Sequence, residues 1–147
     1  MSKYANGKFT IKNRDKYVGR KEPTYRSSWE WSFMNFCDNN PNIIQWASEP
    51  FMIPYCNPFN GRNTIYVPDF MMVYVDRNGQ RHAEVIEVKP SKETTIEAAR
   101  SVRDRAAVVL NMAKWSAAES WCKNYGMRFR IVTEQNLYQN TRPTRAK

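Results

Sequence analysis

The four residues Asp76-Arg77-Asn78-Gly79 constrain the chain around them more than any other stretch. Asp at the first position and Gly at the fourth suit a type I turn closed by a left-handed glycine, the three-residue loop of a β-hairpin. The flanking runs, Thr64 to Val75 and Arg81 to Lys89, are rich in β-branched and aromatic residues and read as its two strands. With Asp76 opposite Gln80, the numbers of paired residues sum to 156 along the ribbon. On that register Asp69 faces Glu87, with Cβ atoms roughly 5 Å apart. Strand residues alternate faces, so Glu87 and Lys89 point the same way. The same face carries Val67, Met71, Val73, Ala83 and Val85.

Two carboxylates side by side on an apolar face repel each other, and one pKa should rise unless a cation neutralises them. A hard divalent ion does so. Mg²⁺ (or Mn²⁺) takes a couple of carboxylates, waters and phosphate oxygens. Asp69, Glu87 and the backbone carbonyl of Val88 are the candidate ligands. An ion held there can activate water and stabilise charge on a phosphodiester. Lys89 is placed to orient that water or neutralise the phosphate. Glu30, beside the apolar stripe of the preceding helix, is a candidate fourth member. Each signal alone is ordinary: ExK on a strand is usually a solvated charge pair, and Glu30 also fits a helix cap. Asp69, Glu87 and Lys89 on one face of one hairpin, after a helix bearing Glu30, in a chain with basic ends, together give the nuclease reading its weight.

The rest of the chain supplies a frame. At 147 residues and 41% hydrophobic content it suits one domain with a packed core. No apolar run reaches the ~18 residues of a membrane span, and the start, MSKYANGKF, does not resemble a secretory signal. Ser27 and Glu30 form a capping box ahead of a stripe of Trp29, Phe33, Phe36 and Cys37, a helix ended by Asn39-Asn40-Pro41. Ile43 to Trp46 and Phe51 to Tyr55 read as strands, and residues 56–63 as a loop. After the hairpin two helices are expected. Thr94 with Glu97 caps the first, with Val102, Ala106, Val109 and Ala113 at helical spacing. Asn111 caps the second, with Trp115, Ala118, Cys122 and Tyr125 on one face and Gly126 as its stop. Arg128 to Val132 is a last strand. The order is that of an α/β sandwich around a mixed sheet. Cys37, Cys56 and Cys122 are odd in number and too scattered for a disulfide framework or structural zinc site. Cys37 and Cys122 read as small buried hydrophobes, and His82 as a structural residue without a partner.

Formal charge is +9 and sits at the ends. Residues 1–22 carry seven cations against two anions, residues 141–147 carry three cations, and the middle, 23–140, is nearly neutral. We expect a basic arm (1–22), a domain (23–140) and a basic tail (141–147), the arm seeking a polyanion through Lys8, Lys12, Arg14, Lys16, Arg20 and Lys21. Arg100 and Arg103, on one helix face, are further candidates for DNA contact.

Pro68-Asp69 … Glu87-Val88-Lys89, with Glu30 on the helix ahead, resembles the pattern of the PD-(D/E)xK nuclease superfamily. The helix-borne Glu is similar to the arrangement in TnsA-type transposase endonucleases and phage junction-resolving endonucleases. The stretches YRSSWEW, NPNIIQWASEPFMIPY, YVPDF, IEVKPSKET and KWSAAESWCKNYGMRFRIVTE, from about Lys8 to Leu137, resemble the head-completion proteins of contractile-tailed bacteriophages. The resemblance implies a restriction-endonuclease-like sandwich with a central mixed β-sheet flanked by helices. It also implies a Mg²⁺- or Mn²⁺-dependent DNA endonuclease with Glu30, Asp69, Glu87 and Lys89 as its catalytic set. Such a protein acts late in capsid assembly, on DNA and beside portal or neck proteins, in the host cytoplasm or the virion, with no membrane. The rival expectations are a non-catalytic head–tail connector and a junction-resolving endonuclease. Glu49, between Ser48 and Pro50, reads as a turn residue and stays outside the catalytic set.

Overall fold

In the computed structural model residues 6–136 are described; Lys3 and the basic tail 141–147 lie outside them. The centre is a mixed four-stranded sheet in the order β3 (Ile43–Ser48), β6 (Phe70–Val75), β7 (Arg81–Val88), β8 (Arg128–Val132). The first two neighbour pairs are antiparallel, and β7 and β8 run parallel. The hairpin register is the one read from the turn: Phe70 pairs with Ile86 and Val75 with Arg81. Gly79 has φ of 76°, and the Asp76 carbonyl accepts its N–H at 3.0 Å.

One face of the sheet packs on α1 (Ser28–Asn39), burying Phe70, Met72, Ile86 and Val88 against Phe33, Met34 and Cys37. Ser27 caps α1 as expected, its Oγ accepting the Glu30 N–H at 3.1 Å. The other face packs on α2 (Val102–Asn124) and on a separate hairpin, β4 (Ile53–Cys56) with β5 (Asn63–Tyr66). There Trp115 and Ala118 meet Ile53, Tyr55 and Tyr66, with Phe129 and Ile131 beneath. This is the α/β sandwich with a helix-flanked mixed sheet that the sequence implied.

Several local expectations are corrected. The run 64–75 is two strands, because Pro68, without an N–H to donate, sits in a break that passes the chain from β5 into the main sheet. The two expected helices are one. Ser101, not Thr94, caps it, accepting the Asp104 N–H at 3.0 Å, while Thr94 Oγ1 donates to the Ser91 carbonyl and closes a 3-10 turn. Asn111 is buried within the helix rather than capping one. The buried stripe is Val108, Asn111, Trp115, Ala118 and Cys122, so Val102, 77% exposed, faces outward. Gly126, at φ 71°, ends α2, with Met127 N–H reaching back to the Cys122 carbonyl at 2.8 Å. His82 does have a partner: Nε2 lies 2.7 Å from Oδ2 of Asp76 across the hairpin turn.

The basic N-terminal stretch, from Asn6 onward, is part of the folded body rather than a separate arm. β1 (Gly7–Lys8) pairs with β2 (Thr24–Tyr25), and Phe9 enters the core edge-on to Trp46. Buried Asp38 accepts the backbone N–H groups of Lys12 and Asn13 at 2.8 and 3.1 Å. Tyr17 packs edge-on against Trp46, and the Val18 N–H donates to the Trp46 carbonyl. Composition hid this, because the pinning groups are a few aromatics dispersed among lysines and one buried carboxylate, Asp38, far along the chain in α1.

Candidate active site

Asp69 stands immediately before β6 and Glu87 one residue before the end of β7, one step beyond the last registered pair. Oδ2 of Asp69 accepts the Val88 N–H at 2.8 Å, so the acid is bound to the strand that carries its partner. Glu87 is 7% exposed. Its Oε1 accepts the Tyr66 hydroxyl at 2.5 Å, and its Oε2 lies 3.8 Å from Nζ of Lys89. Lys89 is held in place by its own N–H, which donates to the Val132 carbonyl at 2.9 Å, and its ammonium also reaches Glu93 at 4.0 Å.

Glu30 joins from the first turn of α1. Its Oε1 accepts the N–H of Arg26, the residue ahead of the Ser27 N-cap, at 3.3 Å, and it lines a cleft of about 200 Å³ with Arg26, Glu49 and Asp69. Glu49, left aside on sequence grounds, is therefore at the site. Its backbone is left-handed at φ 48°, its N–H donates to the Asp69 carbonyl at 2.8 Å, and Arg26 pairs with its carboxylate at 3.5 Å. A non-glycine residue in that conformation is held by its surroundings, and such residues gather at functional sites. Nothing in the spacing of a lone Ser-Glu-Pro signals this, because the backbone strain is a product of the fold.

The electrostatics follow from burial. Burial and the neighbouring Glu87 push the Asp69 carboxyl well above its ordinary range, against the Val88 N–H that favours its charge. Burial likewise raises Glu87, opposed by the Tyr66 hydrogen bond and the charges of Lys89 and Lys114. Glu30 is raised by burial, opposed by Arg26. Three carboxyls that each resist ionisation beside one another form a site whose charge a cation would relieve. Among the described residues no group of three or more acidic, His or Cys side chains closes on one point. Mg²⁺ does not need one, since it commonly keeps waters and takes one or two carboxylates plus substrate phosphate. Asp69 and Glu87 fit that mode.

The other predicted contacts divide. Lys16 is occupied: its ammonium binds the carbonyls of Cys37, Asp38 and Asn40 at 2.7, 3.0 and 2.8 Å, capping the C-terminus of α1. It leaves the set of DNA-contact candidates, because those three carbonyls satisfy all three of its donors. Arg14 is exposed but pairs in a fork with Glu22, at 2.8 and 3.2 Å. Lys8, Lys12, Arg20, Lys21, Arg100 and Arg103 are exposed. Arg100 precedes the Ser101 cap, so it does not share a helix face with Arg103.

The chain is similar to known proteins over most of its length. Residues 40–134 match the TnsA-like endonuclease N-terminal family. The chain belongs to that family. It is also 38% identical, over 143 residues, to a protein of Enterobacteria phage T4 named head completion nuclease; the alignment covers 90% of this chain and 93% of the relative. Asp69, Glu87 and Lys89 all fall within the part matched to the TnsA-like family, and Glu30 lies before it. No helix among the described residues is long and apolar enough to cross a membrane.

Proposed function

We propose that this chain is a DNA endonuclease, dependent on Mg²⁺ or Mn²⁺, that acts on packaged or protruding DNA as a phage head is completed before tail attachment. The observation that carries the reading is the meeting of Asp69 and Glu87 across the β6–β7 hairpin with Lys89 beside them. Membership of the TnsA-like family and the likeness to the T4 head completion nuclease support it.

Asp69 and Glu87, with the Val88 carbonyl, are the residues that would hold the ion. When bound, the ion supplies positive charge against the phosphodiester and a more acidic water. Lys89 presents its ammonium on the side of the free Glu87 oxygen, where it orients the attacking water or offsets charge on the phosphate. Glu30 closes the α1 side of the cleft and holds Arg26, and exposed Arg20 and Lys21 are available to the DNA backbone. DNA is the partner this chemistry needs. Portal or neck proteins are a further partner of the same assembly step, which takes place in the host cytoplasm, with the protein retained in the virion in the simplest case.

One observation favours a second reading, a head–tail connector without catalysis. Each acid already has an oxygen satisfied inside the protein, Asp69 by Val88 and Glu87 by Tyr66. Phage complementation separates the two. Failure of Asp69→Asn to rescue a phage lacking the protein supports the nuclease, and full rescue supports the connector.

A further inference from the structure

Tyr66, the last residue of β5, had no role in the sequence reading. It is 5% exposed, and its hydroxyl donates to Oε1 of Glu87. Its ring is held from several sides. Tyr66 pairs in register with Ile53, Phe129 meets it edge-on at 6.4 Å, and the Lys114 ammonium of α2 lies 5.9 Å from its centroid. The hydroxyl position is thus fixed by a hairpin outside the main sheet, by β8 beneath it and by α2 on the same face of the sheet.

Glu87 needs such a fixture. Its side chain has three torsions, and repulsion from Asp69 favours swinging it out of the site. We propose that Tyr66 is a positioning residue of the nuclease site, pinning Oε1 of Glu87 so that Oε2 stays turned toward Lys89 and open to a divalent ion. The proposal rests on the reading above. Partners that orient a metal-binding carboxylate are worth about 10–100-fold in affinity for the ion.

The test is calorimetric binding of Mn²⁺ alone, without DNA, to the native protein, Tyr66→Phe, Glu87→Gln and the double variant, with thermal melts to confirm folding. Tyr66→Phe should bind about tenfold more weakly. Its nicking should recover toward the native rate at saturating Mn²⁺, a change in ion affinity rather than in maximal rate. The double variant should bind no more weakly than Glu87→Gln, because Tyr66 acts through that carboxylate. Unchanged Mn²⁺ affinity in folded Tyr66→Phe overturns the proposal while leaving the nuclease reading intact, as does a double variant clearly weaker than Glu87→Gln. Should Tyr66→Phe not fold, Tyr66→Met, which likewise lacks the hydroxyl, takes its place, with weaker Mn²⁺ binding expected and unchanged binding overturning the proposal. A native protein that binds no Mn²⁺ overturns the metal-dependent reading and this inference with it.

Discussion

The backbone N–H of Val88 donates to Oδ2 of Asp69 at 2.8 Å, joining the acid that precedes β6 to the strand that carries Glu87 and leads into Lys89. This bond aligns the two acids but does not cancel their repulsion, and the predictions about stability and activity diverge because of it.

Asp69→Asn should abolish nicking and stabilise the fold. The amide oxygen can still accept the Val88 N–H, while the charge facing Glu87 is gone. The Asp69 carboxyl is raised in the folded state, so the native protein binds more protons than the unfolded chain between the two pKa values. Stability therefore falls as pH rises from about 4, the ordinary Asp value, through the folded-state value. Above that window the native protein carries the full penalty and the variant does not. Melts near neutral pH should show the variant higher by a few degrees, roughly the effect of 1 kcal/mol in a domain of this size, with the gap narrowing toward pH 4. A variant that melts lower than the native protein across that range contradicts the electrostatic account.

Lys16→Met should weaken the fold, by about 1–3 kcal/mol for the missing hydrogen bonds to a charged donor, because three carbonyls at the end of α1 are left without that donor. Its DNA affinity, measured on folded protein, should match the native value. A large drop in DNA affinity with an unchanged melt would return Lys16 to the binding surface.

Arg20→Ala with Lys21→Ala should do the opposite, leaving the melt within about 0.5 kcal/mol of native, as is usual for surface positions. For every phosphate that is no longer neutralised, the slope of log affinity against log salt should flatten by about 0.9. Binding across a salt series checks this, and an unchanged slope assigns these cations to another partner. Deleting residues 1–22 is a poor test of the same point, since it removes Phe9 from the core and Lys16 from α1.

What the sequence disclosed was local or periodic. The Asp76–Gly79 turn disclosed the hairpin register, and with it the opposition of Asp69 and Glu87, because a side-chain period of two transmits one fixed pair along the ribbon. Ser27 and Gly126 disclosed helix ends through their capping chemistry. What stayed hidden depended on long-range partners. Thr94 has the same local credentials as Ser101, and only packing of the Val108–Cys122 stripe decides where α2 begins. Tyr66 and Glu49 reach the site because β5 and the β3–β4 connection fold beside it, which no spacing in the sequence encodes. The basic N-terminal stretch reads as an arm because its charge is visible in composition, whereas its anchors, Phe9, Tyr17 and the distant Asp38, act only through tertiary contacts.

The central claim is tested most directly by a supercoiled-DNA nicking assay with purified native protein and Asp69→Ala, each with Mg²⁺, with Mn²⁺ and with chelator. The account predicts nicking by the native protein that needs the ion and is abolished in Asp69→Ala, with both proteins folded. Undiminished nicking by Asp69→Ala, or nicking by the native protein that chelator leaves unchanged, would contradict it.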